Sequence, residues 1–240
     1  MTENRLPTYI RGLDERIEGG IPEGHICLIA GRAGTMKSSI AYWIMYNNAL
    51  KNKQHTVYFT IEQSRKSILK QMTKFGLSEK LQSPDSKSGS IMVVDLAKLR
   101  KDILTVSGDK QVDWFQAMIK SIRGYKEMYG LNIVTIDSLG ALYSIATITN
   151  PREQLFYFFE GLRELELTIF LISEVPADSS TFGVYGVEDF LADGVLYLEA
   201  QRSGTTVNLF LQVFKLRETK HDRHLYPLIA DKNQIEIVTD

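Results

Sequence analysis

The most specific chemical signal in the sequence is Gly31-Arg32-Ala33-Gly34-Thr35-Met36-Lys37-Ser38. In a glycine-rich turn of this spacing, successive peptide N–H groups curl around phosphate oxygens. The lysine reaches the β and γ oxygens, and the Ser/Thr hydroxyl meets a magnesium ion. Gly31, Gly34, Lys37 and Ser38 fit these roles, at the start of a helix whose dipole favours anions. Met36 departs from the pattern, which has glycine there, so a side chain projects from the residue whose amide should approach the β-phosphate. The bland reading is a strand-to-helix turn that holds no ligand.

Three further sites could join this loop. The apolar run Leu131–Ile136 ends in Asp137, where a phosphate-loop protein holds magnesium through water; alternatively, a carboxylate there only caps the next helix. Val57–Ile61 ends in Glu62-Gln63, and Glu62 can polarise an attacking water or serve as a surface charge ahead of a helix. Thr168–Ile172 delivers Ser173 and Glu174 to the same edge, either to report the γ-phosphate or to cap a turn. The nucleotide-contacting set is thus Gly31, Ala33, Gly34, Thr35, Met36, Lys37, Ser38 and Ser39, with Gln63 and Ser173 beside it.

These residues need a scaffold. Ile26–Ala30, Thr56–Ile61, Ile91–Asp95, Ile133–Ile136 and Thr168–Ile172 read as buried strands, short, rich in β-branched residues and bounded by polar ones. Between them, Ser38–Leu50, Arg65–Phe75, Trp114–Tyr129 and Arg152–Glu166 read as helices; Trp114, Phe115, Met118, Ile119, Ile122 and Tyr125 form one apolar stripe. Strands buried on both faces and alternating with helices predict a mostly parallel central sheet flanked by helices. After Asp189, Gly194–Ala200, Thr205–Lys215 and Gln234–Val238 alternate apolar and polar residues, predicting antiparallel strands that extend the sheet. Ser83–Ser90 reads as a surface loop, and residues 1–240 as a single domain.

Composition narrows the function. Lys+Arg at 28 against Asp+Glu at 29 leaves a net charge of -1, so no global basic field holds a polyanion. The stretch Ser138–Thr149 lacks Lys and Arg, and Lys98, Arg100 and Lys101 read as a solvated helix face, so nucleic acid is not an expected partner. Cys27, the only cysteine, lies in an apolar run, which fits a reducing cytoplasmic compartment. With no apolar segment behind Met1 and no membrane-length run, a soluble, unprocessed protein is expected.

With these residues in place, the sequence resembles the RecA/KaiC-like ATPase family, an α/β fold of RecA-like P-loop NTPases, and is closest to one KaiC-type domain. Further landmarks are Gly12-Leu13-Asp14, Gly19-Gly20-Ile21-Pro22, Phe59–Gln63, Ile136–Leu139, Ser173-Glu174-Val175-Pro176, Gly186–Phe190, Ala192–Val195 and Lys215-Leu216-Arg217. The resemblance implies ATP and Mg2+ as cofactors and a homo-oligomeric, usually hexameric, ring with nucleotide between subunits. Glu62 would act as general base, while Lys215 and Arg217 would reach the γ-phosphate of the adjacent subunit. Read from the sequence alone, Lys215 and Arg217 share one face of an alternating strand, which is equally a solvated edge. Gln63 stands where the family often has a second glutamate, and Val187–Ala192 lacks the hydroxyl residues of the autokinase domain, so autophosphorylation of that type is not expected. Slow hydrolysis coupled to an unidentified protein partner is the leading expectation, with a nucleotide-sensing scaffold resembling archaellum motor subunits as the alternative, and a recombination factor behind both.

Overall fold

A computed structural model describes residues 4–77, 81, 89–96, 112–176, 181–232 and 234–239. Lys98, Arg100, Lys101 and the Ser83–Ser88 part of the expected loop lie outside them. A small antiparallel pair, β1 (Arg5–Leu6) with β2 (Ile21–Pro22), precedes the first core strand, β3 (Ile26–Gly31). Then follow α1 (Lys37–Asn52), β4 (His55–Thr60), α2 (Arg65–Lys74), β5 (Ser90–Asp95), α3 (Trp114–Tyr129) and β6 (Ile133–Asp137). The remaining elements are α4 (Leu139–Ile145), α5 (Pro151–Arg163), β7 (Thr168–Glu174), α6 (Glu188–Leu191), β8 (Gly194–Ser203), β9 (Thr206–Leu216), β10 (Leu225–Asp231) and β11 (Gln234–Ile237).

The main sheet has nine strands in the order β11-β10-β9-β8-β3-β7-β6-β4-β5. From β8 to β5 every neighbouring pair is parallel, and β9, β10 and β11 add antiparallel. The expected architecture is present, with one correction: the segment from Gly194 does not begin the antiparallel part, because β8 runs parallel to β3, with Cys27 opposite Gly194 and Gly31 opposite Leu198. Alternating polarity reports which face meets water and carries no information on strand direction.

Successive side chains of β3 supply both faces. Cys27 and Ile29 pack with α1 and the N-terminal residues Leu6, Leu13 and Ile17, whereas Ile26, Leu28 and Ala30 pack with α3, α4 and α5. Helix starts follow local chemistry: Asp113 accepts from the N–H groups of Phe115 and Gln116, Ser64 from Ser67, and Asn150 precedes Pro151 at the first turn of α5. Helix α5 ends at Arg163, before the expected Glu166, which adopts a left-handed φ of 50°. Ser90 belongs to β5 and not to the preceding loop. Among the described residues no helix is long and apolar enough to cross a membrane.

Candidate functional site

The loop from β3 to α1 is pinched at its base. A Cβ on Gly31 would stand 2.4 Å from the Leu198 carbonyl oxygen and 2.6 Å from Thr35 Oγ1, so only glycine fits there. Thr35 Oγ1 donates to the Arg32 carbonyl at 2.8 Å, closing the turn. Gly34 and Met36 both have positive φ, 83° and 68°. Met36 therefore occupies a left-handed position that suits glycine, at a strain of about 1 kcal/mol or more. Among the described residues no acceptor meets the peptide N–H groups from Ala33 to Ser38. Several such donors at a helix N-terminus fit a phosphate chain.

Lys37, the first residue of α1, is only 7% exposed, and its ammonium donates to the carbonyls of Gly31 and Arg32, both at 2.9 Å. Burial pulls its pKa down, opposed by the charges of Glu174, Asp137 and Glu62 in that order. The lysine thus sits among three carboxylates delivered by β7, β6 and the end of β4. One of these, Glu174, stands opposite Gly31 in the sheet register.

Ser38 Oγ donates to Asp137 Oδ2 at 2.8 Å, and Tyr58 from β4 donates to the same oxygen. Burial pushes the Asp137 carboxyl above its ordinary range despite these hydrogen bonds and the nearby Lys37. The helix-capping alternative is resolved, because Ser138, not Asp137, accepts from Ala141 N at the start of α4. A hydroxyl and a carboxylate at hydrogen-bonding distance are hard oxygen donors suited to Mg2+, which takes its other ligands from water and phosphate. Among the described residues no cluster of three His, Cys, Asp or Glu side chains would hold a metal without such help.

Glu62 lies exposed just beyond β4. Partial burial and the charges of Glu174 and Asp137 raise its pKa, while a hydrogen bond to Ser138 opposes them. A carboxylate raised in this way is the better proton acceptor near neutral pH. Gln63 beside it is committed locally: its carbonyl accepts from Thr60 Oγ1 at 2.8 Å and its Oε1 from Ser67 Oγ at 3.2 Å. Ser173 is also committed, being 2% exposed and donating to the Phe182 carbonyl at 2.7 Å, so the turn-capping alternative describes its hydroxyl. Ser39 lies buried in the first turn of α1, behind Ser38.

Lys215 and Arg217 are elsewhere. Leu216 pairs with Gly194, which pairs with Cys27, at the amino end of the parallel strands. Four residue steps along β3 separate that point from Gly31, about 13 Å at the rise of a strand. Lys215 Nζ donates to the carbonyls of Asp189 and Ala192, both at 2.7 Å, and Arg217 Nη1 pairs with Asp193 Oδ1 at 2.8 Å. Neither side chain reaches the phosphate loop of its own chain.

Tyr58 and the crowding of Glu174 on Lys37 escaped the sequence reading. A tyrosine inside an otherwise apolar buried strand is the one available hint, because its hydroxyl must find a partner.

Comparison with known proteins bears on this arrangement. The family described as the KaiC ATPase matches residues 6–240. The chain is 29% identical over 226 residues to the circadian clock oscillator protein KaiC of Thermostichus vulcanus, covering 93% of this chain and 42% of that protein. It is 29% identical over 236 residues to the circadian clock protein KaiC3 of a Synechocystis strain, covering 98% of this chain and 45% of that one. It therefore spans less than half the length of these curated relatives. The crystal structure of a KaiC-like protein from the hyperthermophilic archaeon Pyrococcus horikoshii matches with a TM-score of 0.82 at 26% identity, covering 99% of this chain and 100% of that one.

Proposed function

The chain belongs to the KaiC family of ATPases, and from that premise we propose that residues 1–240 act as one cytoplasmic ATPase unit that binds Mg-ATP between adjacent copies of a six-membered ring and hydrolyses it slowly. The observation that carries this reading is the separation of Lys215 and Arg217 from the loop of their own chain. They stand at the amino end of the strands, while Lys37, Ser38, Glu62 and Asp137 stand at the carboxyl end. A second copy is the simplest source of the missing cations.

In this reading the N–H groups of Ala33 to Ser38 and the Lys37 ammonium hold the phosphate chain. Ser38 and Asp137 would hold Mg2+, which when bound neutralises charge on the phosphates. Glu62 accepts the proton of the attacking water, and its raised pKa supports that role. Arg217 has donors to spare beyond its contacts with Asp193 and the Phe190 carbonyl, and with Lys215 it would neutralise the transferring phosphoryl group of the neighbour. Hydrolysis would then depend on assembly, a natural means of passing nucleotide state to a protein partner.

Met36 and Gln63, which depart from the pattern at the phosphate loop and beside Glu62, favour a second reading, a nucleotide-sensing scaffold that scarcely turns over. Steady-state Mg-ATP hydrolysis per subunit, followed against protein concentration with Glu62→Gln as the blank, separates the two. A specific rate that rises with concentration and levels off supports the shared site. Tight ATP binding with no rate above the blank supports the scaffold.

A further inference from the structure

Tyr58 lies in the middle of β4, opposite Thr135 of β6 and Val93 of β5, with 0% of its surface exposed and its ring 5.9 Å from that of Tyr42 on α1. Its hydroxyl donates to Asp137 Oδ2, the same oxygen that accepts Ser38 Oγ at 2.8 Å. Two donors of different origin therefore converge on one atom. Ser38 belongs to the first turn of α1, beside the phosphate loop, whereas Tyr58 is rooted in the sheet. Among the described residues no donor is recorded on Asp137 Oδ1, and that oxygen is not among the buried polar atoms without a partner. The carboxylate is held by one oxygen and open at the other.

We propose that Tyr58 is a positioning residue of the metal site: its hydroxyl anchors Asp137 through Oδ2 and so presents Oδ1 toward the cation. The inference rests on the reading above that Ser38 and Asp137 hold Mg2+. If the Ser38 hydroxyl turns to the cation, Asp137 loses part of its hold from α1. The donor from β4 keeps its place, because β4 and β6 are hydrogen-bonded neighbours from Thr56↔Ile133 to Thr60↔Asp137. Removing a partner that orients a ligand from behind typically weakens metal binding by about ten- to a hundredfold.

Tyr58→Phe removes one oxygen from a sealed site and nothing else. Binding of a fluorescent ADP analogue to the full chain is measured in EDTA and again as Mg2+ is titrated in. The expected result is a half-saturating Mg2+ concentration raised about tenfold, with affinity in EDTA changed less than about twofold. In an Asp137→Asn background, Tyr58→Phe adds no further change. A Mg2+ midpoint equal to that of the unaltered chain overturns the proposal, as does an equal weakening in EDTA and in Mg2+, which marks a purely structural hydroxyl. Should Tyr58→Phe fail to fold, the Tyr58 hydroxyl proton of the unaltered chain, followed by NMR, is expected to stay shielded from exchange when Mg2+ and ADP are added; its release to solvent overturns the proposal. If the unaltered chain binds nucleotide with no dependence on Mg2+, the magnesium reading itself fails, and this inference with it.

Discussion

At the carboxyl end of the parallel strands Lys37 faces Glu62, Asp137 and Glu174. Burial and mutual repulsion push the carboxyls of Glu62 and Asp137 up, and burial pulls the ammonium down. At the amino end Asp193, 13% exposed at its side chain, accepts from Ile26 N at 3.1 Å, from Arg217 Nη1 at 2.8 Å and from Arg163 Nη2 at 3.4 Å, and Lys215 caps the carbonyls that close α6. Both ends are dense in charge, yet at one the carboxylates are left to repel, while at the other most charges are paired from within, Lys215 being the exception, its ammonium pulled down by burial and by Arg217. A fold gains stability from paired charges, whereas the unpaired carboxylates and ammonium of the first end are held ready for a ligand that relieves them.

The sharpest way to break the comparison is to separate its halves on different chains. Lys37→Ala and Arg217→Ala should each lower hydrolysis by about a thousandfold. Mixing the two proteins should restore about one quarter of the unaltered rate, since random assembly completes that share of shared sites. No recovery on mixing would place the arginine outside the reaction. Next in size, Asp193→Ala should cost about 2 kcal/mol of stability, or roughly 6 °C in thermal midpoint, chiefly by leaving the buried Ile26 N–H without its acceptor, since Arg163 keeps Glu160 and Arg217 keeps the Phe190 carbonyl. Nucleotide binding by dilute, unassembled chains should be unchanged, because within one chain the two ends stay apart, and a loss there would couple them.

The opposite sign is expected at the carboxyl end. The folded pKa of Asp137 lies above its unfolded value, so its contribution is fully present below the ordinary carboxylate range and is lost as pH rises through the raised value. Asp137→Asn in the absence of Mg2+ should therefore raise the thermal midpoint at pH 7 and leave it unchanged at pH 3.5. A fall at pH 7 would mean that the carboxylate supports the fold after all. The smallest change belongs to Met36→Gly, which relieves the left-handed backbone and should gain about 1 kcal/mol, or 2–4 °C. A loss would show that the methionine side chain packs well enough to offset its strain.

Much of this was legible in the residues themselves. Trp114–Tyr129 is bounded as its apolar stripe predicts, and the phosphate loop follows its strand directly. Both signals are local, a helical period in one case and a turn fixed by glycine in the other. The strand Leu225–Asp231 is masked in the sequence by Pro227, which is tolerated because it pairs with Phe210 of β9 but lies just past the end of the β11 ladder, where no strand needs its N–H. Tyr58, Ser173 and Asp193 depend on contacts between residues far apart in sequence. Spacing places Ser173 at the right edge, but only packing sends its hydroxyl to Phe182.

Two of the three donors on the Lys37 ammonium are engaged by the carbonyls of Gly31 and Arg32. Arrival of a phosphate is then an exchange of acceptors. Neutral oxygens offer the lysine nothing it does not already have, whereas an anionic oxygen makes a hydrogen bond about twice as strong. The loop consequently discriminates before any base or sugar is touched: water, alcohols and amides leave Lys37 where it is, and a polyphosphate draws it out.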